Sequence, residues 1–333
     1  MTIENRIQTF SSLGKQLSNL SKIEIAELSR RAQADNQWFT PQSVEKALHG
    51  LAYMLGEDKL HQWVSRYDEI PVEIPKIVGI IMAGNIPLVG FHDLMCVLMS
   101  GHFAAVKTSS SDTFLTKTII DWVLEIEPRF KKNIEIRERL NNVDAIIATG
   151  SDNTARHFEY YFKDIPRIIR KNRTSIAIIN GLESKEDLHN LGKDIFTYYG
   201  LGCRNVSKVL VPKNYDPKPF FEAIEDFSEI TNNHKYQNNY DYHKSILLVN
   251  GTEHLDNGFL LWQPSDQLVS PISVLFVEEY ESDAELDWKI SSNSEKLQCI
   301  VGHGRIPFGK AQSPEVWDYA DNVDTMEFLK KLS

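Results

Sequence analysis

Apolar and polar positions follow one pattern up to about residue 67 and another beyond residue 76. Residues 1–67 are polar and helix-patterned. Within them, Thr40-Pro41-Gln42-Ser43-Val44-Glu45 reads as a helix start, with Thr40 as cap and Pro41 at the first helical position. No cluster of reactive side chains occurs there, so a surface helical arm is expected. From Lys76 onward, short β-branched apolar runs alternate with amphipathic stretches. Residues 77–82, 102–106, 144–148 and 175–179 predict strands, and residues 91–99, 114–126 and 151–162 predict helices. A second block starts after Asn180-Gly181, with helices over 186–199 and 217–227 and strands over 206–211, 245–250 and 273–277. Glycine, aromatic and amphipathic signals return in residues 305–333. The alternation predicts open, mostly parallel α/β sheets. The organisation expected is four segments: 1–70, 71–180, 181–304 and 305–333.

A chain of 333 residues has room for two packed domains. Its net charge of −10 lacks the basic surplus of a nucleic-acid binder, so no nucleic-acid partner is expected. The polar start carries no apolar signal-peptide core. The most apolar stretch, residues 77–99, is interrupted by Asn85, Pro87, His92 and Asp93, so no membrane span is expected. The three cysteines, Cys96, Cys203 and Cys299, are widely spaced and form no CxxC pair, which leaves neither a zinc site nor a disulfide framework to read. That usage suits a reduced, cytoplasmic protein. His92, His102 and His303 lack metal-ligand spacing and are expected to be structural or surface residues, with no metal bound.

Ligands of open parallel sheets bind at the carboxyl ends of the strands. Asn85, Lys107 and Gly150-Ser151 stand at such ends. Asn85 follows a buried strand, where its amide could donate to a developing oxyanion or simply serve a turn before Pro87. Lys107, with Ser109 and Ser110, suits a ribose or phosphate, or a solvated loop. Thr149-Gly150-Ser151 joins strand to helix and offers backbone N–H groups to a phosphate, or an ordinary helix cap. In Gly200-Leu201-Gly202-Cys203-Arg204-Asn205 the glycines permit close backbone approach to a substrate. There the adjacent Arg204 could raise the thiolate fraction of Cys203; the other reading is a buried structural cysteine.

Taken in order, these segments resemble the aldehyde dehydrogenase superfamily, and within it the LuxC-type fatty acyl-CoA reductases. The resemblance rests on Ala83-Gly84-Asn85-Ile86-Pro87-Leu88, Ala148-Thr149-Gly150-Ser151, Gly200-Leu201-Gly202-Cys203-Arg204, Phe308-Gly309-Lys310-Ala311-Gln312-Ser313-Pro314 and Asp321-Asn322-Val323-Asp324-Thr325-Met326. It runs from about residue 70 to the end. It implies an α/β fold with a helical N-terminal arm, a Rossmann-like cofactor domain over 71–180, a catalytic domain over 181–304 and a terminal segment returning to the cofactor domain. Cys203 matches the nucleophile, and Asn85 the amide that shares the oxyanion hole with the nucleophile's backbone N–H. Lys107 matches the lysine on the cofactor's adenosine ribose, Gly150 and Ser151 the helix start on its pyrophosphate, and Gln267 the position that grips the nicotinamide ribose.

Two departures refine what the resemblance implies. Hydrolytic relatives carry a glutamate where this chain reads Arg170-Lys171-Asn172-Arg173-Thr174-Ser175, so the acyl-enzyme is expected to resist water. NAD-preferring relatives often carry a glutamate where Ser110 stands here, so NADPH (NADP+) is the expected cofactor. The expected reaction is reduction of an acyl-CoA or acyl-protein thioester to an aldehyde. An acylating aldehyde dehydrogenase, an acyl-phosphate reductase and a non-catalytic assembly subunit remain as alternatives. An acyl-protein synthetase partner and a homo-oligomer are also implied.

Overall fold

The computed structural model describes residues 1–332, so the final position of the expected 305–333 segment lies outside it. The chain divides into two compact units, Met1–Asn172 with the described residues from Pro314 onward, and Arg173–Ser313.

In the first unit, α1 (Ile3–Ser18), α2 (Lys22–Asp35), α3 (Pro41–Met54) and α4 (Glu57–Val64) come first. Thr40 caps α3, its hydroxyl accepting from the Ser43 N–H, with Pro41 in the first turn as expected. Phe10, Leu13 and Leu17 of α1 and Val44 and Leu48 of α3 are buried in one core with Trp63 of α4. These helices share a core with the sheet that follows.

That sheet has β1 (Ile77–Ile81) at its centre. Beside it lie β2 (Phe103–Lys107), β3 (Ile134–Ile136), β4 (Ala145–Thr149) and β5 (Arg167–Arg170), in the order β3-β2-β1-β4-β5, all parallel. Connecting helices are α5 (Phe91–Ser100), α6 (Thr113–Ile126) and α7 (Asp152–Tyr161). Helix α5 stops at Gly101, whose φ of +102° is open to glycine at little cost.

The second unit has a six-stranded sheet. Its strands are β6 (Thr174–Ile178), β7 (Val206–Pro212), β8 (Leu255–Asp256), β9 (Leu261–Pro264), β10 (Val274–Tyr280) and β11 (Leu297–Val301), in the order β11-β6-β7-β10-β9-β8. All neighbours are parallel except the β8–β9 pair. Its helices are α8 (Lys185–Phe196), α9 (Lys218–Ala223), α10 (His234–Asn250) and α11 (Asp283–Ser291). The chain then returns to the first unit and ends with α12 (Thr325–Lys330).

The α/β architecture with parallel sheets is the one the sequence predicts. Two local expectations differ. Residues 245–250, expected as a strand, are the last turns of α10. The Asn233 side chain accepts from the N–H groups of Lys235 and Tyr236 to start that helix, and Gly251 at φ 62° ends it. A six-residue apolar run has no period long enough to separate strand from buried helix. The strand expected at 175–179 forms, but it pairs with β7 and β11 in the second sheet. Strands β3, β5, β8, β9 and β11 are found only in the structure.

Arg170, at the end of β5 and 2% exposed, fastens the returning segment. Its guanidinium donates to Asp93 of α5 at 2.7 Å, to the Ala320 carbonyl at 2.6 Å and to the Thr325 hydroxyl at 2.8 Å. Removing one partner of a buried ion pair strands the other charge. Arg170→Met is therefore expected to destabilise the protein by about 3–5 kcal/mol, read as a lower urea midpoint in equilibrium unfolding.

Candidate active site

The carboxyl edge of the first sheet carries the loops singled out by sequence. Ile81 pairs with Lys107 and with Ala148, so three strands end at one level. After β1 the chain turns through Gly84, Asn85 and Pro87. A Cβ on Gly84 would lie 2.4 Å from the Ser109 hydroxyl, so glycine is required for the β1 and β2 loops to touch. Asn36 of the α2 end donates to the Gly84 carbonyl at 3.2 Å and holds the turn from the other side. Asn85 itself is exposed.

Lys107 and Ser110 are exposed, and the Lys107 carbonyl accepts from Met82 N–H at 3.0 Å. Ser109 braces its own loop. Its hydroxyl accepts from Ser111 N–H at 3.2 Å, and its carbonyl accepts from the Thr113 hydroxyl at 2.8 Å. Gly150 N–H donates to the Arg170 carbonyl at 3.2 Å. Ser151 caps α7, its hydroxyl accepting from Thr154 N–H at 3.4 Å. The first turn of α7 also holds Asp152, which accepts from Asn172 N–H at 3.3 Å. Asn85, Lys107, Ser109, Ser110, Gly150 and Ser151 thus gather on one sheet edge of the first unit.

Asp112 was not singled out by sequence, yet it links the two loops. Its Oδ2 accepts from Leu88 N–H at 2.7 Å, where Leu88 holds a left-handed φ of 59°. Its Oδ1 is buried without a partner. Burial pushes the carboxyl up to about 8; the Leu88 N–H opposes this, and Asp35 adds to it.

In the second unit Cys203 is half-buried and Cys299 buried, and Cys96 of the first unit is buried. All three are thiols. Cys203 and Arg204 are the central residues of a turn closed by Asn205 N–H donating to the Gly202 carbonyl at 3.0 Å. The approach to the turn is unusual: Tyr198, Tyr199 and Gly200 have φ of 53°, 59° and 78°. Three successive left-handed residues persist only where surroundings fix them. The Asn205 side chain supplies this. It accepts from Gly202 N–H at 2.8 Å and donates to the carbonyls of Asp194, Ile195 and Thr197, at 3.1, 3.2 and 2.7 Å, capping the end of α8. Asp194 holds the following segment, accepting from Gly309 N–H at 2.6 Å and Ala311 N–H at 3.0 Å. Arg204 donates to the Ala311 carbonyl at 3.3 Å.

Gln267 is exposed on the loop between β9 and β10. That loop is fastened to β7 just beyond the Cys203 turn. The Ser207 hydroxyl donates to the Leu268 carbonyl and Lys208 Nζ to the Asp266 carbonyl, both at 3.1 Å. Cys203 and Gln267 are thus both tied to the start of β7.

No group of three or more His, Cys, Asp or Glu able to hold a metal occurs among the described residues. None of their helices is long and apolar enough to cross a membrane. Asn205, Asp194, Lys208 and Asp112 escaped the sequence reading. Their one common signal is a polar residue beside an apolar run, which is too frequent to single out.

The folded Asp112 pKa lies above its ordinary value of 3.8, so the folded protein holds this proton more tightly than the unfolded chain. That contribution is complete below about pH 4 and is lost as pH rises towards 8. Asp112→Asn keeps an acceptor for Leu88 and cannot ionise. Urea unfolding across this range should show the variant gaining on the wild type as pH rises; a constant difference would contradict it.

The comparisons with known proteins bear on the family and the fold. The sequence matches the family model described as acyl-CoA reductase (LuxC) over residues 15–228, a segment containing Asn85, Lys107, Gly150, Ser151 and Cys203. A search of curated proteins returned no match. Among solved structures, a putative aldehyde dehydrogenase from Burkholderia cenocepacia is 15% identical, covering 88% of this chain and 73% of its own, with TM-score 0.65. An indole-3-acetaldehyde dehydrogenase of P. syringae, a complex with NAD+, is 13% identical, with coverage of 90% and 72% and TM-score 0.67. The aldehyde dehydrogenase KauB from Pseudomonas aeruginosa is 14% identical, with coverage of 90% and 72% and TM-score 0.65. At such identity the likeness establishes the fold: this is an aldehyde dehydrogenase-like α/β chain. With its family model matched over most of its length, the chain belongs to the LuxC acyl-CoA reductase family.

Proposed function

We propose that this chain reduces an acyl thioester, long-chain fatty acyl-CoA in the first instance, to the aldehyde with NADPH through an S-acyl Cys203 intermediate. The observation that carries the reading is the half-buried Cys203 thiol in a turn whose Gly202 N–H and carbonyl are both bonded to Asn205. A nucleophile held in place before substrate arrives avoids an ordering cost in the transition state.

The Cys203 thiolate attacks the thioester carbon. The Asn85 amide and the Cys203 N–H are assigned to the resulting oxyanion; one such donor is worth about 3 kcal/mol of barrier. The carrier thiol then leaves. The stretch Arg170–Thr174 offers no carboxylate as a base for water, and its Arg170 is engaged with Asp93. The acyl group on Cys203 therefore waits for reduction rather than hydrolysis.

The first unit's sheet edge fits a nicotinamide dinucleotide. It offers an exposed Lys107, a glycine at position 150 packed against Thr154, and the Ser151-capped start of a ten-residue helix. When bound, that cofactor supplies the hydride. Lys107 and Ser110 carry no negative charge against a 2′-phosphate, which favours NADPH; Ser109 contributes by shaping the loop. Gln267 is assigned to the nicotinamide ribose.

The reading includes an acyl-protein synthetase as acyl donor, which the resemblance implies. The reading also includes self-association. Tyr242, Leu248 and Val249 of α10 are 61%, 61% and 86% exposed, and Leu255 of the edge strand β8 is 47% exposed. Tyr240 of α10 donates to Asp256 at 2.7 Å, which fastens β8 to α10. Light scattering on the purified protein should give a multiple of the chain mass, and Val249→Glu should lower it; a monomer throughout would contradict this part.

The central test is aldehyde formation from acyl-CoA thioesters of increasing chain length, with NADPH and NADH side by side. Wild-type turnover should be faster with NADPH, and Cys203→Ala should lose at least about 10³-fold. An NADH preference overturns the cofactor assignment. Turnover only with acyl phosphate, or only from aldehyde to acyl-CoA, points to the related activities of this fold. Retained turnover in Cys203→Ala overturns the nucleophile.

A further inference from the structure

Ser175 stands second in β6, wholly buried at 0% exposure. A hydroxyl inside an apolar strand must be bonded to be tolerated. Its Oγ lies 3.0 Å from the Cys203 carbonyl oxygen, 3.0 Å from Cys299 Sγ and 3.2 Å from Cys299 N. A hydroxyl has one proton and two lone pairs. The Cys203 carbonyl can only accept and the Cys299 N–H can only donate. The assignment is therefore closed: Ser175 donates to the Cys203 carbonyl and accepts from the Cys299 N–H and S–H. Ser175 also uses its backbone, its N–H donating to the Asn205 carbonyl at 3.3 Å. One residue thus grips the turn at two points.

The consequence for Cys203 follows from peptide planarity. In a trans peptide the C=O and N–H point in opposite directions. The Gly202 carbonyl is fixed by Asn205 N–H, so the Cys203 N–H is directed away from Asn205. The next peptide unit is fixed by Ser175 through the Cys203 carbonyl. With both peptide planes on either side of its Cα held, the Cα–Cβ bond of Cys203 has one direction, and rotation about that bond alone decides where the sulfur lies.

We propose that Ser175 is a positioning residue for the nucleophile, aligning the Cys203 thiol and backbone N–H through its bond to the Cys203 carbonyl. This rests on Cys203 being the acylated residue. Ser175 touches no reacting atom, so its effect falls on the rate of the acylation step and not on thioester binding.

The test compares Ser175→Ala, which removes the bond, with Ser175→Thr, which retains a hydroxyl, in the full chain. Three readouts are taken: acyl-CoA reduction, alkylation of Cys203 by iodoacetamide, and thermal unfolding. Ser175→Ala should lower kcat about tenfold, the scale expected for a small misplacement of a reacting group. KM should stay within about twofold. Alkylation of Cys203, which needs no cofactor or thioester, should slow in parallel. Ser175→Thr should recover most of both rates. Arg170→Met serves as a variant weakened elsewhere. If Ser175→Ala is folded with unchanged kcat and alkylation, or if its losses merely match those of Arg170→Met at equal stability, the proposal fails. Should Ser175→Ala not fold, Ser175→Thr with wild-type stability but slow alkylation would equally overturn it. Failure of the parent reading looks different: Cys203→Ala would then keep its turnover, whatever Ser175 does.

Discussion

Parallel pairing on both sides of β1 is the constraint on which the first unit depends. A parallel ladder lines up strand ends, so β1, β2 and β4 deliver their outgoing loops to one edge. Without that register, Asn85, Lys107 and Ser151 would have no common neighbourhood. Gly79, at the middle of β1, shows how tightly the pairing is packed: a Cβ there would sit 2.6 Å from Ile146 Cδ1. Gly84 repeats the pattern at the loop. Asp112 then ties the loop after β1 to the loop after β2 by a single hydrogen bond. The loops after β1 and β2 are thus joined to each other, while the start of α7 is tied to the end of β5.

The second unit solves a different problem. Its key turn precedes a strand instead of following one, so sheet pairing does not hold it. The backbone from Thr197 to Asn205 leaves carbonyls at a helix end and passes through left-handed residues, a combination that normally needs solvent or side chains to complete. Asn205 completes it almost alone, with Ser175 behind it. Buried polar networks are costly when partly satisfied and rigidifying when complete. Here they replace regular secondary structure at the point where the half-buried Cys203 thiol is presented.

Much of this was readable in the sequence, and the reason is local. Thr40-Pro41, the β-branched run 77–82 and the glycines at 84, 150, 200 and 202 each carry their own conformational message, independent of distant residues. The order of Asn85, Lys107, Gly150-Ser151 and Cys203 then carried the family resemblance that the family model bears out. What stayed hidden depends on distance. Arg170 reads as one of several cations in Arg170-Lys171-Asn172-Arg173; only the fold buries it against Asp93 and Thr325. Ser175 looks like a minor flaw in a strand until Cys203 and Cys299 are brought beside it. Residues 245–250 misled because the deciding signals, Asn233 and Gly251, lie outside the apolar run itself.

The connectivity of the two units has a consequence for the order of events during synthesis. Domains usually complete in the order in which they are made. Here the first unit is interrupted by the second and waits for the segment beginning at Pro314. Trp63 donates to Tyr319 at 2.7 Å, His102 is bonded to the Leu329 carbonyl at 2.9 Å, and Met326 and Leu329 are buried in the same core as Phe10 and Trp63. All residues of the second unit are therefore on hand while the first still lacks part of its interior. For a growing chain, the portion made first is the last to close, and in the meantime its unfinished apolar surface is what a chaperone would meet.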